Sequence, residues 1–343
     1  MKSDEMTSIL ISGGAGFIGS NFIPFFLENN KNVQVVNLDK LTYAGDLENL
    51  REIESNSNYV FVRGDICDRV LVEDLFQRYD IRGVINFAAE SHVDKSIKNP
   101  DAFIKTNVFG TFNLIDIAKS FWMEAPHKYK KEYKECRFHH VSTDEVYGSL
   151  GETGLFTEET PYAPNSPYSA SKASSDFVVR SYYHTYGMNV VTTNCSNNYG
   201  PKQHDEKLIP TIIRKCLADE NIPIYGDGMN VRDWLYVLDH CKGIDLAFKT
   251  GKTSETYNIG GKNERTNMYI VDTICKILDE LKPRERGSSY IDLKSFVTDR
   301  PGHDFRYAID ATKIENELGW KADENFESGI RKTIEWYLNK YSK

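Results

Sequence analysis

No two cysteines in this chain stand close enough in sequence to suggest a zinc knuckle or a redox dithiol. Cys67, Cys136, Cys195, Cys216, Cys241 and Cys275 are scattered, with no Cys-x-x-Cys pair. That usage fits reduced thiols and argues against a disulfide frame or a structural metal, so no metal is expected. Basic charge is also short: 42 lysines and arginines against 50 acidic residues leave a net charge of -8. A chain of that balance is a poor nonspecific ligand for nucleic acid or for an anionic membrane. No apolar run approaches the roughly 20 residues needed to span a bilayer. Met1 to Ser8 is polar and acidic, without the apolar core of a signal peptide, and a cytoplasmic location is the expectation. Internal repeats and low-complexity tracts are missing as well. What remains is an ordinary globular composition over 343 residues, enough for one large or two modest domains.

The first half alternates strand and helix patterns. Ser8 to Ser12 reads as a short buried strand, followed by Gly13-Gly14-Ala15-Gly16-Phe17-Ile18-Gly19 and an apolar helical pattern through Phe22, Ile23, Phe26 and Leu27. Strand, glycine turn and helix together form the context in which a backbone can approach a pyrophosphate and offer it helix N–H groups. Val33 to Asp39 is a second strand ending in an acid, about 20 residues past Gly19, where a carboxylate accepts from an adenosine ribose. Asp39 would repel a 2'-phosphate, which favours NAD over NADP, although Lys40 beside it works the other way. Strands at Tyr59–Val62, Gly83–Phe87, Arg137–Val141 and Asn189–Thr193, helices at Val70–Tyr79 and Pro167–Tyr186, and a long helical stretch from Pro100 to Met123 continue the alternation. The pattern predicts an α/β fold: a doubly wound, Rossmann-like parallel sheet. In such sheets ligands collect at the carboxyl ends of the strands, where Asp65-Ile66, Ala88-Ala89 and Thr143-Asp144-Glu145 all fall. The charged stretch Ala125–Glu135 reads as a solvated surface excursion. His139 and His140, adjacent in a strand, point to opposite faces and do not share a metal.

Beyond residue 195 the pattern loosens. Asn197 to Pro201 reads as a polar turn. Helices are expected at Leu208–Ala218, His240–Lys249, Asn267–Leu281 and Phe326–Tyr337, and short strands at Pro223–Tyr225, Trp234–Val237 and Thr256–Ile259. The division implied is 1–195 for the dinucleotide and 196–343 for a smaller mixed α/β substrate-binding domain, with the chain free to cross back to the sheet. Arg232, Lys207 and Arg300 could meet a pyrophosphate, Tyr225 could stack on a base, and His303 could donate to phosphate or ribose.

The chemistry is expected between Ser142 and Lys172. Tyr168 and Lys172 are four residues apart, on one face of a helix that Ser166 can cap and Pro167 can start. Alone, Tyr-x-x-x-Lys is a weak pattern, and it recurs at Tyr290 and Lys294. Asp144-Glu145 alone is more often a solvated turn than an acid/base pair. Taken with the glycine turn and Asp39, however, Tyr168 and Lys172 give the sequence a resemblance to the extended short-chain dehydrogenase/reductase family. Longer stretches narrow that to its nucleotide-sugar 4,6-dehydratases: Leu38 to Gly45, Ala88 to Asp94, Ser142 to Gly148, Ser196 to Pro201, Lys207 to Pro210, Pro223 to Gly228, Arg232 to Trp234 and Arg300 to Asp304. Two departures stand out. Phe305 replaces a second basic residue, and Gln203-His204-Asp205 replaces a more apolar Gln-Phe-Pro type of sequence.

The resemblance implies NAD bound by Gly13, Gly16, Phe17, Ile18, Gly19, Asp39, Lys40, Leu41, Thr42, Asp65, Ile66, Phe87, Ala88, Ala89, Ser91, Thr106, Tyr168, Lys172 and Asn198. It implies a nucleotide-sugar substrate held by Ser91, Thr143, Asn197, Lys207, Leu208, Pro223, Tyr225, Arg232, Asn267, Arg300 and His303. The reaction implied is loss of water from a nucleotide-linked glucose in deoxysugar biosynthesis, with thymidine and uridine nucleotides both open as carriers. Tyr168 would take the C4 hydroxyl proton while NAD takes hydride, with Lys172 and the cationic cofactor drawing the phenol's pKa down; Thr143 would bind the sugar, Glu145 take the C5 proton and Asp144 protonate the leaving C6 hydroxyl. A homodimer through a four-helix contact is also implied. A nucleotide-sugar 4-epimerase would use the same Tyr168, Lys172 and NAD without needing Asp144 or Glu145. A noncatalytic NAD-sensing protein could dispense with Tyr168 and Lys172 altogether.

Overall fold

The computed structural model describes residues 6–284, 287–299 and 303–341. Seven parallel strands form the main sheet in the spatial order Thr256–Ile259, Val190–Cys195, Arg137–Thr143, Ile81–Asn86, Thr7–Ser12, Val33–Asp39, Tyr59–Arg63. The order reverses direction around Thr7–Ser12: the next two strands in the chain build outward on one side, and the later four on the other. That reversal is the switch point at which an open α/β sheet forms its crevice.

These strands are apolar on both faces because both faces are covered. Along the first strand Ile9 and Ile11 pack into one layer with Phe22, Phe26 and Ile244. Leu10 between them packs into the opposite layer with Val36, Leu75 and Ile117. Full burial of one such aliphatic side chain stabilises the fold by about 1.5–3 kcal/mol. A third apolar cluster, including Tyr199, Ile212, Trp234, Ile274, Phe326 and Tyr337, belongs to the second half of the chain. Thr256–Ile259 lies outside that cluster's elements: the chain crosses back and adds this strand to the main sheet beside Val190–Cys195.

Three elements differ from the sequence expectation. The helical stretch from Pro100 is not uniform. Pro100–Phe103 and Thr111–Trp122 are α-helical, and Ile104–Gly110 between them is a π-helix. The wider turn brings Asn107 inward, where its amide brackets Glu90, accepting from the Glu90 N–H at 2.8 Å and donating to its carbonyl at 3.0 Å. Met123 leaves the helix with extended backbone and opens a two-strand ribbon, Met123–Ala125 with Lys128–Tyr129. Asn197–Tyr199 is a short strand, not a turn; it pairs in parallel with Val231–Tyr236, and the turn comes at Gly200, φ +148°. No helix among the described residues is long and apolar enough to cross a membrane.

Candidate active site

The crevice at the switch point is a cavity of about 310 Å³. Its floor is the glycine turn. Gly13 has φ +74°, and a Cβ there would lie 2.6 Å from the Ala88 nitrogen; one on Gly19 would lie 2.5 Å from the Gly13 carbonyl oxygen. The turn can therefore be this tight only without side chains. The helix Phe17–Asn29 starts at Gly16 with no side-chain cap and no acidic residue in its first turn. Its leading N–H groups are left for an anion. Asp39 pins both edges of the crevice: its Oδ2 accepts from the Ala15 amide and its Oδ1 from the Leu41 amide, each at 2.8 Å. Lys40 pairs with Asp65 at 2.8 Å, so the neighbouring cation is already matched. The uncapped helix start, the glycine cradle and the strand-end acid fit the pyrophosphate and ribose of NAD.

Gly16, Phe17, Ile18, Thr42, Ile66, Phe87, Ala89 and Thr106 line the same cavity. Leu41 does not; it turns at φ +55° beneath Gly45, which does. At the far end stand Ser91, Asn197, Asn198 and Lys207. Lys207 Nζ donates to the Ser91 carbonyl at 3.0 Å. The Asn198 amide is fixed on both sides, its Oδ1 2.9 Å from His240 Nδ1 and its Nδ2 donating to the Ser196 carbonyl at 3.0 Å.

Thr143, Asp144, Glu145, Tyr168 and Lys172 all meet at the sheet side of this cavity. The strand Arg137–Thr143 delivers the first three at its carboxyl end. The helix Pro167–Tyr186 delivers the other two, started by a reciprocal Ser166/Ser169 capping box with Pro167 in its first turn. Asp144 is 1% exposed, and its Oδ2 has no hydrogen-bond partner among the described residues. Burial, then the Glu145 carboxylate, then Asp233, hold its carboxyl well above the usual range.

Burial first, then the negative charge of Glu145, push the Tyr168 phenol well above the ordinary value, with a Thr143 hydrogen bond opposing. Lys172 Nζ donates to the Val141 carbonyl at 2.8 Å. The second Tyr-x-x-x-Lys leads elsewhere: Lys294 pairs with Asp272 at 2.9 Å.

Several expected substrate residues do not line the cavity. Arg232 is buried, with its guanidinium donating to the Val231, Phe305 and Asp304 carbonyls and its Cζ 4.4 Å from the Tyr307 ring centroid. Leu208 starts the helix Leu208–Leu217, and Asn267 starts the helix Asn267–Leu281. Pro223 and Tyr225 lie on the strand Ile222–Tyr225, with Tyr225 exposed. His303 Nδ1 lies 2.7 Å from Asp299. Arg300 falls outside the described residues. The cavity wall also contains residues the sequence reading did not single out, among them Glu90, Cys195 and Glu206. Glu90 lies in the quoted stretch Ala88 to Asp94, which was its signal. Cys195 had none beyond closing a strand. His204, one of the two departures, also lines the cavity, its ring 5.7 Å from that of Tyr43.

The family model described as GDP-mannose 4,6 dehydratase matches residues 10–333. A dTDP-glucose 4,6-dehydratase of Xanthomonas campestris is 55% identical over 334 residues, 97% of this chain and 93% of the relative. Among solved structures, the dTDP-glucose 4,6-dehydratase of Bacillus anthracis in complex with NAD is 44% identical, with a TM-score of 0.85 and 98% of each chain covered. The Streptomyces venezuelae dTDP-glucose 4,6-dehydratase with NAD and dTDP bound is 41% identical, with a TM-score of 0.88 and 98% of each chain covered.

Proposed function

The chain belongs to the GDP-mannose 4,6 dehydratase family, within the extended short-chain dehydrogenases/reductases, and on that premise we propose that it is an NAD-dependent dTDP-glucose 4,6-dehydratase. It removes water from dTDP-glucose to give dTDP-4-keto-6-deoxyglucose. The observation that carries this reading is the pairing of a buried Asp144, its carboxyl raised well above the usual range, with a cavity-lining Glu145 beside Tyr168 and Lys172. An epimerase needs the second pair and not the first.

NAD, when bound along the glycine turn, would accept hydride from C4 and give it back at C6 while C5 regains a proton, so that the net change is loss of water and the cofactor ends oxidised. Gly13, Gly16 and Gly19 admit its pyrophosphate, and Asp39 accepts from the ribose and disfavours a 2'-phosphate. Thr143 orients the C4 hydroxyl, and Tyr168 takes its proton, aided by the charge of Lys172. Once C4 is a ketone, the C5 proton is acidic, and Glu145 takes it. Asp144 gives its proton to the departing C6 hydroxyl. The two neighbouring carboxyls thereby act in opposite senses, which their unequal burial supports. Lys207 and Asn197 hold the nucleotide end of the substrate. Two copies of the chain associate through the helices Thr111–Trp122 and Pro167–Tyr186, and the enzyme works in the cytoplasm.

The test is incubation with dTDP-glucose, UDP-glucose and UDP-galactose. Only dTDP-glucose is expected to give a product with the ketone absorbance of a 4-keto-6-deoxysugar in alkali. Interconversion of the UDP-hexoses without that absorbance would overturn the reading in favour of a 4-epimerase.

A further inference from the structure

Tyr168, Lys172 and Asp176 follow one another at four-residue intervals along Pro167–Tyr186, and so share one face of that helix. They are 8%, 4% and 4% exposed. The strand Arg137–Thr143 meets the last two residue by residue. Lys172 Nζ donates to the Val141 carbonyl at 2.8 Å, and the next hydroxyl along, Ser142 Oγ, donates to Asp176 Oδ2, also at 2.8 Å.

The other oxygen, Asp176 Oδ1, is buried and has no hydrogen-bond partner among the described residues. His140 Nε2 lies 3.2 Å from it, yet that proton is directed elsewhere. Asn86 Oδ1 is held by the Ser12 hydroxyl at 2.6 Å, which orients the Asn86 amide so that its Nδ2 faces His140 Nδ1 at 3.3 Å. His140 therefore carries its proton on Nε2, which faces Ser175 Oγ at 3.1 Å. Burial, then the charge of Lys172, pull the pKa of this imidazole down, with Asp176 opposing. The polar cluster thus sets one carboxylate, Asp176, and one amine, Lys172, on the same buried helix face.

A buried ammonium with no opposite charge gives up its proton. Burial pushes Lys172 in that direction, and Asp176 is the foremost charge opposing it. The remaining titratable neighbours are the Cys195 thiol at Lys172, the Tyr147 and Tyr162 phenols at Asp176, and Glu145, Asp144 and Cys195 at Tyr168. None of these is a second cation. We propose that Asp176 is a positioning residue: its carboxylate is the counter-charge that keeps Lys172 an ammonium against Val141, and through Lys172 it governs how readily Tyr168 releases its proton. The proposal rests on the reading of Tyr168 and Lys172 as the groups acting at C4.

The test is Asp176→Asn, which keeps the shape and removes the charge. Turnover of dTDP-glucose should fall by about 100-fold in kcat, near the upper end for coupling between contacting groups, with KM little changed. The alkaline limb of the kcat profile should move down by about 1 pH unit or more, because Lys172 then loses its proton sooner. Asp176→Glu should restore part of both, and adding D176N to K172M should cost nothing further. A D176N profile that superimposes on wild type, or a loss that multiplies with that of K172M, would overturn the proposal. If D176N does not fold, the wild-type enzyme still decides: carbon and nitrogen NMR of labelled lysine should find Lys172 charged at pH 7, and a neutral amine there would overturn it. A K172M enzyme that turns over like wild type would instead sink the Tyr168/Lys172 reading itself.

Discussion

Asp144 and Glu145 are chain neighbours in unlike surroundings: Asp144 is buried with one oxygen unpaired, while Glu145 is only partly buried on the wall of the same cavity. The raised pKa of Asp144 follows from that burial and from the Glu145 charge beside it. Replacing Asp144 by Asn and Glu145 by Gln should abolish dehydration while C4 oxidation survives in part. Each single loss should cost about 10²–10⁴-fold, the range for a positioned proton-transfer group. The assay follows 4-keto-6-deoxysugar formation beside reduced cofactor absorbance, and full dehydratase turnover in the double variant would remove both assignments.

The same carboxyl predicts a stability effect with a definite sign. Its folded pKa lies above the unfolded value, so the native state holds a proton that the unfolded state lacks between the two. Stability from this group is therefore complete below the ordinary carboxylate pKa and is lost as pH rises toward the raised one. Asp144→Asn should melt at a higher temperature than wild type at pH 8, with the gap narrowing toward pH 4. Thermal unfolding of both proteins across that range checks it, and an unchanged or lower melting temperature for the variant at pH 8 would contradict it. A gain in stability paired with a loss of activity is the usual signature of a strained functional group.

Much of this was legible in the sequence because the controlling physics is local. A glycine turn between a buried strand and a helix, an acid closing the next strand, and a capped Tyr/Lys helix are short-range patterns, and the cavity gathers all three. What escaped was set by distant contacts. The π-helical turn at Ile104–Gly110 goes with Asn107 reaching Glu90, and no local periodicity announces it. Arg232 is expected at a pyrophosphate by type; that its guanidinium also donates to carbonyls of Asp304 and Phe305, some 70 positions on, is a contact no local pattern announces. For Tyr168 the expectation names Lys172 and the cationic cofactor; the burial and the Glu145 charge that push the phenol the other way come from the folded surroundings, and no local pattern announces them.

Tyr168→Phe deletes a hydroxyl that the fold hardly uses. Turnover should fall by about 10²–10⁴-fold with KM nearly constant, and the melting temperature should change little. Because burial raises the wild-type phenol, wild-type kcat should climb with pH through the neutral range, and the residual activity of the variant should not follow that climb. Equal pH profiles for the two enzymes would show that the phenol is not the base.

Gly13→Ala places a methyl 2.6 Å from the Ala88 nitrogen at a backbone φ of +74°. The left-handed conformation alone costs an L-residue about 1–2 kcal/mol, and neither backbone can yield without moving a central strand. The variant should lose stability by at least that amount in denaturant unfolding and should bind NAD more weakly by titration. Wild-type NAD affinity in the variant would mean that the turn is not where the pyrophosphate lies.

The outward surface of the helical layer predicts how the chain associates. Thr111–Trp122 and Pro167–Tyr186 pack side by side, joined by the Tyr182 hydroxyl donating to Asp116 at 3.1 Å. Tyr168, Lys172, Asp176 and Val179 face inward, whereas Phe177 is 57% exposed and Ile104, Phe109 and Phe112 are exposed on the adjoining stretch. Burying each phenylalanine would contribute about 1.5–3 kcal/mol, and a two-fold axis would count every one twice. Sedimentation at micromolar concentration should therefore find a dimer. Replacing Phe112 and Phe177 together by Glu sets four carboxylates on the proposed contact and should give a monomer with its fold intact by circular dichroism. A variant that still sediments as a dimer would place the contact on another face.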